Sequence, residues 1–271
     1  AETEAPVETE APVETEAPDD SSVDSLPPLG SEAPSGSEVD TGIDPSWEPE
    51  PIEWTEIGVG VDEGYLEVPI DYQDPDGGTF RLYLVRHRAT DPDARIGSLL
   101  VNPGGPGFGG SILAEYAPMV GYGVDVLASF DIIGWDPRGT GFSEPAIDCI
   151  DNYDAYYAGY DITPDTDEEH DEIIAIAEDF AEQCAAENAD IIEHVGTNNS
   201  ARDMDSIRRA LGEEKISYFG FSYGSELGAT WATLFPDTVR AAVLDGASDP
   251  NADMLEGSLQ QTEGFEGTLT S

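Results

Sequence analysis

The 271 residues carry 58 Asp or Glu against 10 Lys or Arg, a formal charge of −48, and Lys215 is the only lysine. Such a chain lacks the clustered cations that grip a nucleic-acid backbone, and anionic membrane surfaces repel it. No apolar run approaches the roughly 18 to 20 residues that span a bilayer, so no spanning segment is expected in the chain.

Residues 1–50 stand apart in composition. The hexad ETEAPV runs from Glu2 to Val7, repeats from Glu8 to Val13, and a third copy breaks off at Pro18. This stretch holds 15 acidic residues and no Lys or Arg, with Pro and Ser filling much of the remainder. It cannot bury enough apolar surface to offset its ordering entropy, and its prolines favour an extended chain. Residues 1–52 are therefore expected to form a disordered acidic spacer, either a solvated tail or a segment that holds a domain away from a cell surface. Ala1 is not an initiator Met, so any signal peptide or any lipid or membrane anchor has been removed or lay upstream.

The remaining chain, assigned as one domain over 53–271, is acidic in its own right. Beyond residue 50 there are 43 acidic and all 10 basic residues, a charge of −33. Charge of one sign at that density suits a salty medium, where repulsion is screened at short range.

Leu66, Val68, Ile70 and Tyr72 alternate to one side; with the turn residues DPDGG and the run TFRLYLVRH they predict a β-hairpin. GSLLVN reads as a buried strand that ends in the glycine-rich loop PGGPGFGG, followed by a helix from Ser111 to about Met119. FDIIGWD is a second buried strand, ending in the turn PRGTGFS. Within that turn, Asp136 and Arg138 are expected to pair and shape the floor of a crevice. The longest helical signal is DEIIAIAEDFAEQCAAEN, where Ile173, Ala177, Phe180, Ala181 and Cys184 share a face expected to point inward.

Cys149 and Cys184 are either one disulfide or two buried thiols. A bridge would close a loop of some 35 residues and stabilise the fold by roughly 4 kcal/mol in a chain-entropy treatment. The acidic tail favours the bridge, and with it an oxidising compartment. A further helix is expected from Ser200, which can cap it with Asp203 three residues on, with Met204, Ile207 and Leu211 buried and Gly212 at its end. KISYFGFS is then a strand, Leu227, Trp231, Leu234 and Phe235 mark a helix, and AAVLDG is one more strand. Strands alternating with helices after a hairpin predict an α/β domain, a mostly parallel sheet with helices on both faces. Sites in such sheets gather at the carboxyl ends of strands, so loops 103–110, 136–143 and 220–224 should converge.

In YFGFSYGSE, Ser222 lies between Gly220 and Gly224 at the junction of a strand and a helix. That is the setting of a nucleophile elbow, where the glycines admit a sharp turn and Gly228 lets the helix approach closely. The alternative is a helix-capping serine. The backbone N–H of Tyr223 would face a developing oxyanion. Gly105, Gly107 and Gly110 fit the GxGxxG of dinucleotide sites, but the loop follows the third strand and the negative field opposes a pyrophosphate. As the other half of an oxyanion hole, with an N–H from Gly105 and a second candidate at Gly104, both its position and its glycines are accounted for. No cofactor and no metal ion is expected. Trp47, Trp54, Trp135 and Trp231 are read as packing residues.

The set NPGGPG, DIIGWDPRGTGFSEP, RDMDSIRRALG and ISYFGFSYGSELGATWATLFPDTVRAAVLDGASDP, in this order over about residues 55–250, resembles the secreted tripeptidyl aminopeptidases, serine peptidases of the α/β-hydrolase fold related to proline iminopeptidases. The resemblance implies an exported, extracellular or cell-surface exopeptidase that removes short peptides from free N-termini through an acyl-enzyme on Ser222. It also implies the Cys149–Cys184 bridge. In this fold the triad follows the order Ser, acid, His. His87, His170 and His194 all precede Ser222 and are read as structural or surface residues. Asp245 and Asp249 follow the next strand, but the family's acid comes from a later one. The chain is thus expected to be the N-terminal portion of a longer hydrolase, without its lid and closing strands, inactive alone, with the Asp and His beyond residue 271. The competing readings are an esterase or lipase of the same fold, and a catalytically incomplete binding or surface module.

Overall fold

The computed structural model describes residues 39–157, 163–247 and 254–270. Alternating apolar residues build the first half of the sheet. After a short strand β1 (Thr55–Gly58), β2 (Val61–Asp71) and β3 (Asp74–His87) form a long antiparallel hairpin, in which Leu66 faces Leu82 and Val68 faces Phe80. The turn falls at Tyr72 and Gln73, so the DPDGG residues already belong to β3. Two buried strands follow, β4 (Gly97–Asn102) and β5 (Phe130–Trp135), separated by the helices α1 (Ser111–Glu115), α2 (Ala117–Val120) and α3 (Val124–Ser129). The single helix expected over 111–119 is broken at Tyr116, because Pro118 enters the next turn without an N–H to donate.

Beyond the short α4 (Tyr153–Tyr157) come α5 (Asp167–Glu187), α6 (Thr197–Ala210), β6 (Ile216–Phe221), α7 (Tyr223–Leu234), β7 (Val239–Asp245) and α8 (Met254–Thr270). The strands lie in the order β1-β2-β3-β5-β4-β6-β7. Pairs β1–β2, β2–β3 and β3–β5 are antiparallel, while β5–β4, β4–β6 and β6–β7 are parallel. The sheet is therefore mixed, not mostly parallel as expected: β1 and the hairpin together occupy almost half of its width, and the hairpin carries its antiparallel register into β5.

The period of two along each strand sends neighbouring residues to opposite faces. Leu84, Leu100, Ile133 and Tyr218 pack with Met204 and Ile207 of α6 and with Leu227 and Trp231 of α7. Their neighbours Val85, Leu99, Val101 and Ile132 face Ala114 and Ala117, with Leu127 of α3 against them. Each large apolar side chain buried this way contributes roughly 1.5–3 kcal/mol. Trp135 and Trp231 are fully buried, and Trp47 and Trp54 pack partly buried against the first of these clusters.

Residues 39–52, which composition assigns to the end of the spacer, lie against this core. Ile52 is buried, Ile43 and Trp47 pack on the cluster, and Trp47 stands edge-on to Tyr72 at 5.3 Å between ring centroids. Two arginines a turn pair apart on α6 hold the segment: Arg202 Nε donates to Thr41 O at 2.6 Å and Arg209 Nη2 to Trp47 O at 2.8 Å.

Helix α5 opens on a capping box, Thr166 Oγ1 accepting the Glu169 N–H and Glu169 Oε2 the Thr166 N–H. Its expected inward face is only half covered: Ile173, Phe180 and Cys184 are half-buried, whereas Ala177 and Ala181 are exposed. Cys184 forms a disulfide with Cys149, and Phe180 meets Tyr156 at 4.8 Å between centroids. Helix α6 starts at Thr197 after Gly196, so Ser200 and Asp203 lie inside it instead of capping it. Among the described residues no helix is long and apolar enough to cross a membrane.

Candidate active site

Strand β6 runs straight into α7, and the chain can turn that sharply only through an unusual backbone at the junction. Ser222 has φ 53° and ψ −126°, and it is the only described non-glycine residue with positive φ. A conformation of this kind costs on the order of 1–3 kcal/mol and persists only where its surroundings impose it. Here the Ser222 N–H donates to Asp245 O at 2.8 Å, the Ser225 N–H donates to Ser222 O at 2.7 Å, and Tyr218 Oη donates to Gly224 O at 2.7 Å. A side chain at Gly220 would collide with the Gly224 carbonyl, which is why the turn needs glycine there. Ser222 occupies the N-cap position of α7, yet its hydroxyl makes no capping hydrogen bond, and the residue is exposed.

The loop after β4 lies directly on this elbow. Asn102 pairs with Gly220 across the sheet, and its buried Oδ1 accepts the Gly104 N–H at 2.9 Å. Gly104 has φ +95°, and a Cβ built on it would sit 2.5 Å from Phe221 O, 3.0 Å from Ser222 Cβ and 3.1 Å from Tyr223 N. Only glycine tolerates both that φ and that approach. Of the expected oxyanion donors, Gly104 already spends its N–H on Asn102. The N–H groups of Gly105 and Tyr223 have no acceptor assigned among the described residues.

Tyr223 is tied down through its side chain. Its Oη lies 2.8 Å from Thr197 Oγ1 in the first turn of α6, and burial pushes the phenol above its ordinary pKa, so it stays neutral.

The third loop joins the same crevice through Asp136, but not by the pairing the sequence suggested. Asp136 accepts two backbone N–H groups, from Ser111 at 3.1 Å to Oδ1 and from Phe142 at 2.9 Å to Oδ2, and so ties loop 136–143 to the start of α1. Arg138 turns away to Asp203 on α6, with Nε to Oδ2 at 2.8 Å and Nη2 to Oδ1 at 2.5 Å. Two residues apart on a turn, the two side chains leave the backbone in different directions, and the long guanidinium reaches a carboxylate 65 positions away. Its remaining donors go to Ile70 O, His194 O and Pro69 O, and Tyr72 Oη donates to Asp203 Oδ1 at 2.7 Å. Burial alone would ease the proton from Arg138, but Asp203 more than reverses this and holds the guanidinium charged. Burial, and then the Asp203 charge, push the Tyr72 phenol well above its usual range.

None of the three histidines is hydrogen-bonded to Ser222 among the described residues. His87 closes β3 opposite Ile132, toward the end of β5 away from Trp135, with Nδ1 3.2 Å from Arg88 O. His170 is exposed on α5 beside Asp171. His194 sits in a 3-10 turn and offers its carbonyl to Arg138 and Asn199. Asp245 serves the elbow through its main-chain carbonyl; Asp249 lies outside the described residues. Sequence reasoning missed Asn102 and Asp203. Asn102 was visible as the polar residue between a fully apolar strand and the glycine loop, whereas Asp203 was read as a capping residue because its partner Arg138 lies 65 positions away.

The comparisons agree with this architecture. The family model described as the alpha/beta hydrolase fold matches residues 97–271. Serine protease Hip1 of Mycobacterium tuberculosis is 41% identical over 235 residues, covering 82% of this chain and 44% of that protein. Tripeptidyl aminopeptidase of Streptomyces coelicolor is 37% identical over 231 residues, covering 83% of this chain and 42% of the relative. Carboxylesterase B of M. tuberculosis is 40% identical over 207 residues, covering 74% and 39%. The chain thus spans less than half the length of these curated relatives. Strand order, elbow and family match lead to one assignment: the chain belongs to the α/β-hydrolase fold family, as a serine-hydrolase-type member related to peptidases and aminopeptidases.

Proposed function

We propose that this chain carries the nucleophile and the oxyanion hole of an exported aminopeptidase, with 53–271, extended back to residue 39 by the segment packed on the core, as the N-terminal part of its catalytic domain. The observation that carries the reading is Ser222: strained, exposed, its hydroxyl unspent on capping, and closely approached by the Gly104 backbone. Ser222 Oγ attacks the carbonyl carbon of the scissile peptide and passes its proton to an imidazole. The N–H groups of Gly105 and Tyr223 take the charge that develops on the carbonyl oxygen. Collapse breaks the C–N bond, the imidazole returns the proton to the departing amine, and water then hydrolyses the acyl-enzyme. No histidine follows Ser222 in the 271 residues, so the reading assigns the imidazole and its orienting carboxylate to polypeptide outside them.

The likeness to Hip1 and to tripeptidyl aminopeptidase supports a peptide substrate. An acidic domain attracts a cationic N-terminus, and the Cys149–Cys184 disulfide fits an oxidising, extracellular or cell-surface location. The likeness to carboxylesterase B favours a second reading, an esterase built on the same nucleophile. Full-length protein expressed from the whole reading frame separates them. An aminopeptidase cleaves tripeptidyl p-nitroanilides with a free N-terminus and loses at least about a hundredfold in kcat/KM when that N-terminus is acetylated. Turnover of p-nitrophenyl acyl esters with none of the free peptides would establish the esterase instead.

A further inference from the structure

The loop between β4 and α1 brings few side chains to the crevice. Of residues 104–110, only Pro106 and Phe108 are not glycine. Phe108 is the loop's one aromatic ring, and it belongs to neither buried cluster. The one large side chain of a glycine loop beside the elbow calls for an account.

Its position supplies one. A Cβ built on Gly105 would lie 3.0 Å from Phe108 Cδ2, so the ring leans over the residue whose N–H faces the oxyanion. A Cβ built on the adjacent Gly104 would lie the same 3.0 Å from Ser222 Cβ. Ring and nucleophile therefore flank one two-residue stretch of backbone. The mounting is stiff: the Gly110 N–H donates to Trp135 O at 2.8 Å, the Ser111 N–H to Asp136 Oδ1 at 3.1 Å, and a side chain at Gly109 would strike the Asp136 carboxylate. A phenyl side chain turns about only two bonds, so on a loop pinned at its end it loses little freedom when a substrate covers it, which makes it an efficient contact.

We propose that Phe108 is a specificity-determining wall for the acyl residue, the one that contributes the scissile carbonyl. With the carbon of that residue on Ser222 and its oxygen at the Gly105 N–H, its side chain leaves the reacting centre beside Phe108. The ring favours a bulky apolar side chain there, such as Leu or Phe, over Ala, and disfavours a carboxylate on its electron-rich face. This deepens the reading of Ser222 as a nucleophile and rests on it. It holds for peptides and esters alike, since both present the same acyl group.

The test compares kcat/KM of full-length protein on paired p-nitroanilides, or paired esters, that differ only in Leu or Ala at the acyl residue. Phe108→Ala is expected to lower the Leu-to-Ala preference about tenfold, the scale of a lost apolar contact in a pocket. Phe108→Leu should restore part of that preference, and since Phe108 belongs to neither buried cluster, neither change hollows the core. An unchanged ratio in Phe108→Ala overturns the proposal, as does a wild-type preference for an acidic or basic acyl residue. Absence of any wild-type turnover on either substrate class would instead overturn the nucleophile assignment beneath it.

Discussion

Arg138 grips Asp203 through two hydrogen bonds, at 2.8 and 2.5 Å, and neither side chain has any solvent access. The pair joins the turn after β5 to the middle of α6, the helix whose first turn holds Tyr223. Removing one partner leaves a buried charge without its counterpart. Asp203→Ala is expected to destabilise the protein by about 3–5 kcal/mol, while the double change Arg138→Met with Asp203→Leu recovers only part of that loss, because the carbonyls of Pro69, Ile70 and His194 lose the guanidinium's donors. Urea unfolding of the three proteins checks this; a loss under about 1 kcal/mol for Asp203→Ala would refute it.

Gly104→Ala tests the approach of the loop to the elbow. The added methyl meets Phe221 O at 2.5 Å and Ser222 Cβ at 3.0 Å, and the backbone is at φ +95°. The loop must withdraw, taking the Gly105 N–H with it. Loss of one oxyanion donor costs about 10²–10³-fold in rate, so acylation of Ser222 in the full-length protein should slow by about a hundredfold. An unchanged rate means that the loop does not serve the nucleophile.

Glu213 gives the fold an acid-sensitive contact at the other end of the sheet. Burial would raise its pKa, but the Ser98 hydroxyl at 2.8 Å, the Ser98 N–H at 3.1 Å and Arg95 Nη2 at 2.9 Å outweigh it and hold the carboxyl below its usual 4.5. A carboxyl with a depressed folded pKa stabilises the protein fully above its unfolded value and loses that contribution as pH falls through the folded one. Glu213→Gln should cost about 1 kcal/mol at pH 7, allowing for screening of the partly exposed Arg95. The difference from wild type should shrink as pH falls below 4.5. Unfolding midpoints at several pH values read it, and a difference that grows on acidification contradicts the assignment.

The charge of −33 beyond residue 50 predicts a salt response. Raising NaCl from about 0.1 to 1 M shortens the screening length from about 10 to about 3 Å and relieves repulsion among exposed carboxylates. The melting temperature should climb by several degrees, since 1 kcal/mol corresponds to about 2–4 °C for a domain of this size. A flat or falling melting curve would remove salt adaptation as an account of the composition.

What the sequence revealed and what it hid follow from the range of each interaction. The β4 and β6 strands, the elbow and the glycine loop were legible because period, turn chemistry and strand ends are local. Arg138 was assigned to Asp136, its neighbour by two, because a sequence cannot show that a guanidinium spans to α6. The segment at Trp47 looked like spacer by composition, since the arginines that hold it lie 162 residues along in one case and 161 in the other. The sheet appeared mostly parallel because its later strands dominate the hydrophobic signal, whereas half of the pairings, β1–β2, β2–β3 and β3–β5, are antiparallel. Half of the face expected for α5 stays in water, because alanines fit the helical period whether or not anything packs on them.

The central claim, that Ser222 is the nucleophile, is most directly tested by a fluorophosphonate probe on full-length protein, with the adduct located by peptide mass spectrometry. The account predicts a single adduct on the peptide that contains Ser222, and none on a Ser222→Ala protein with an unchanged circular dichroism spectrum. Equal labelling of Ser222→Ala, or an adduct on another serine, would contradict it.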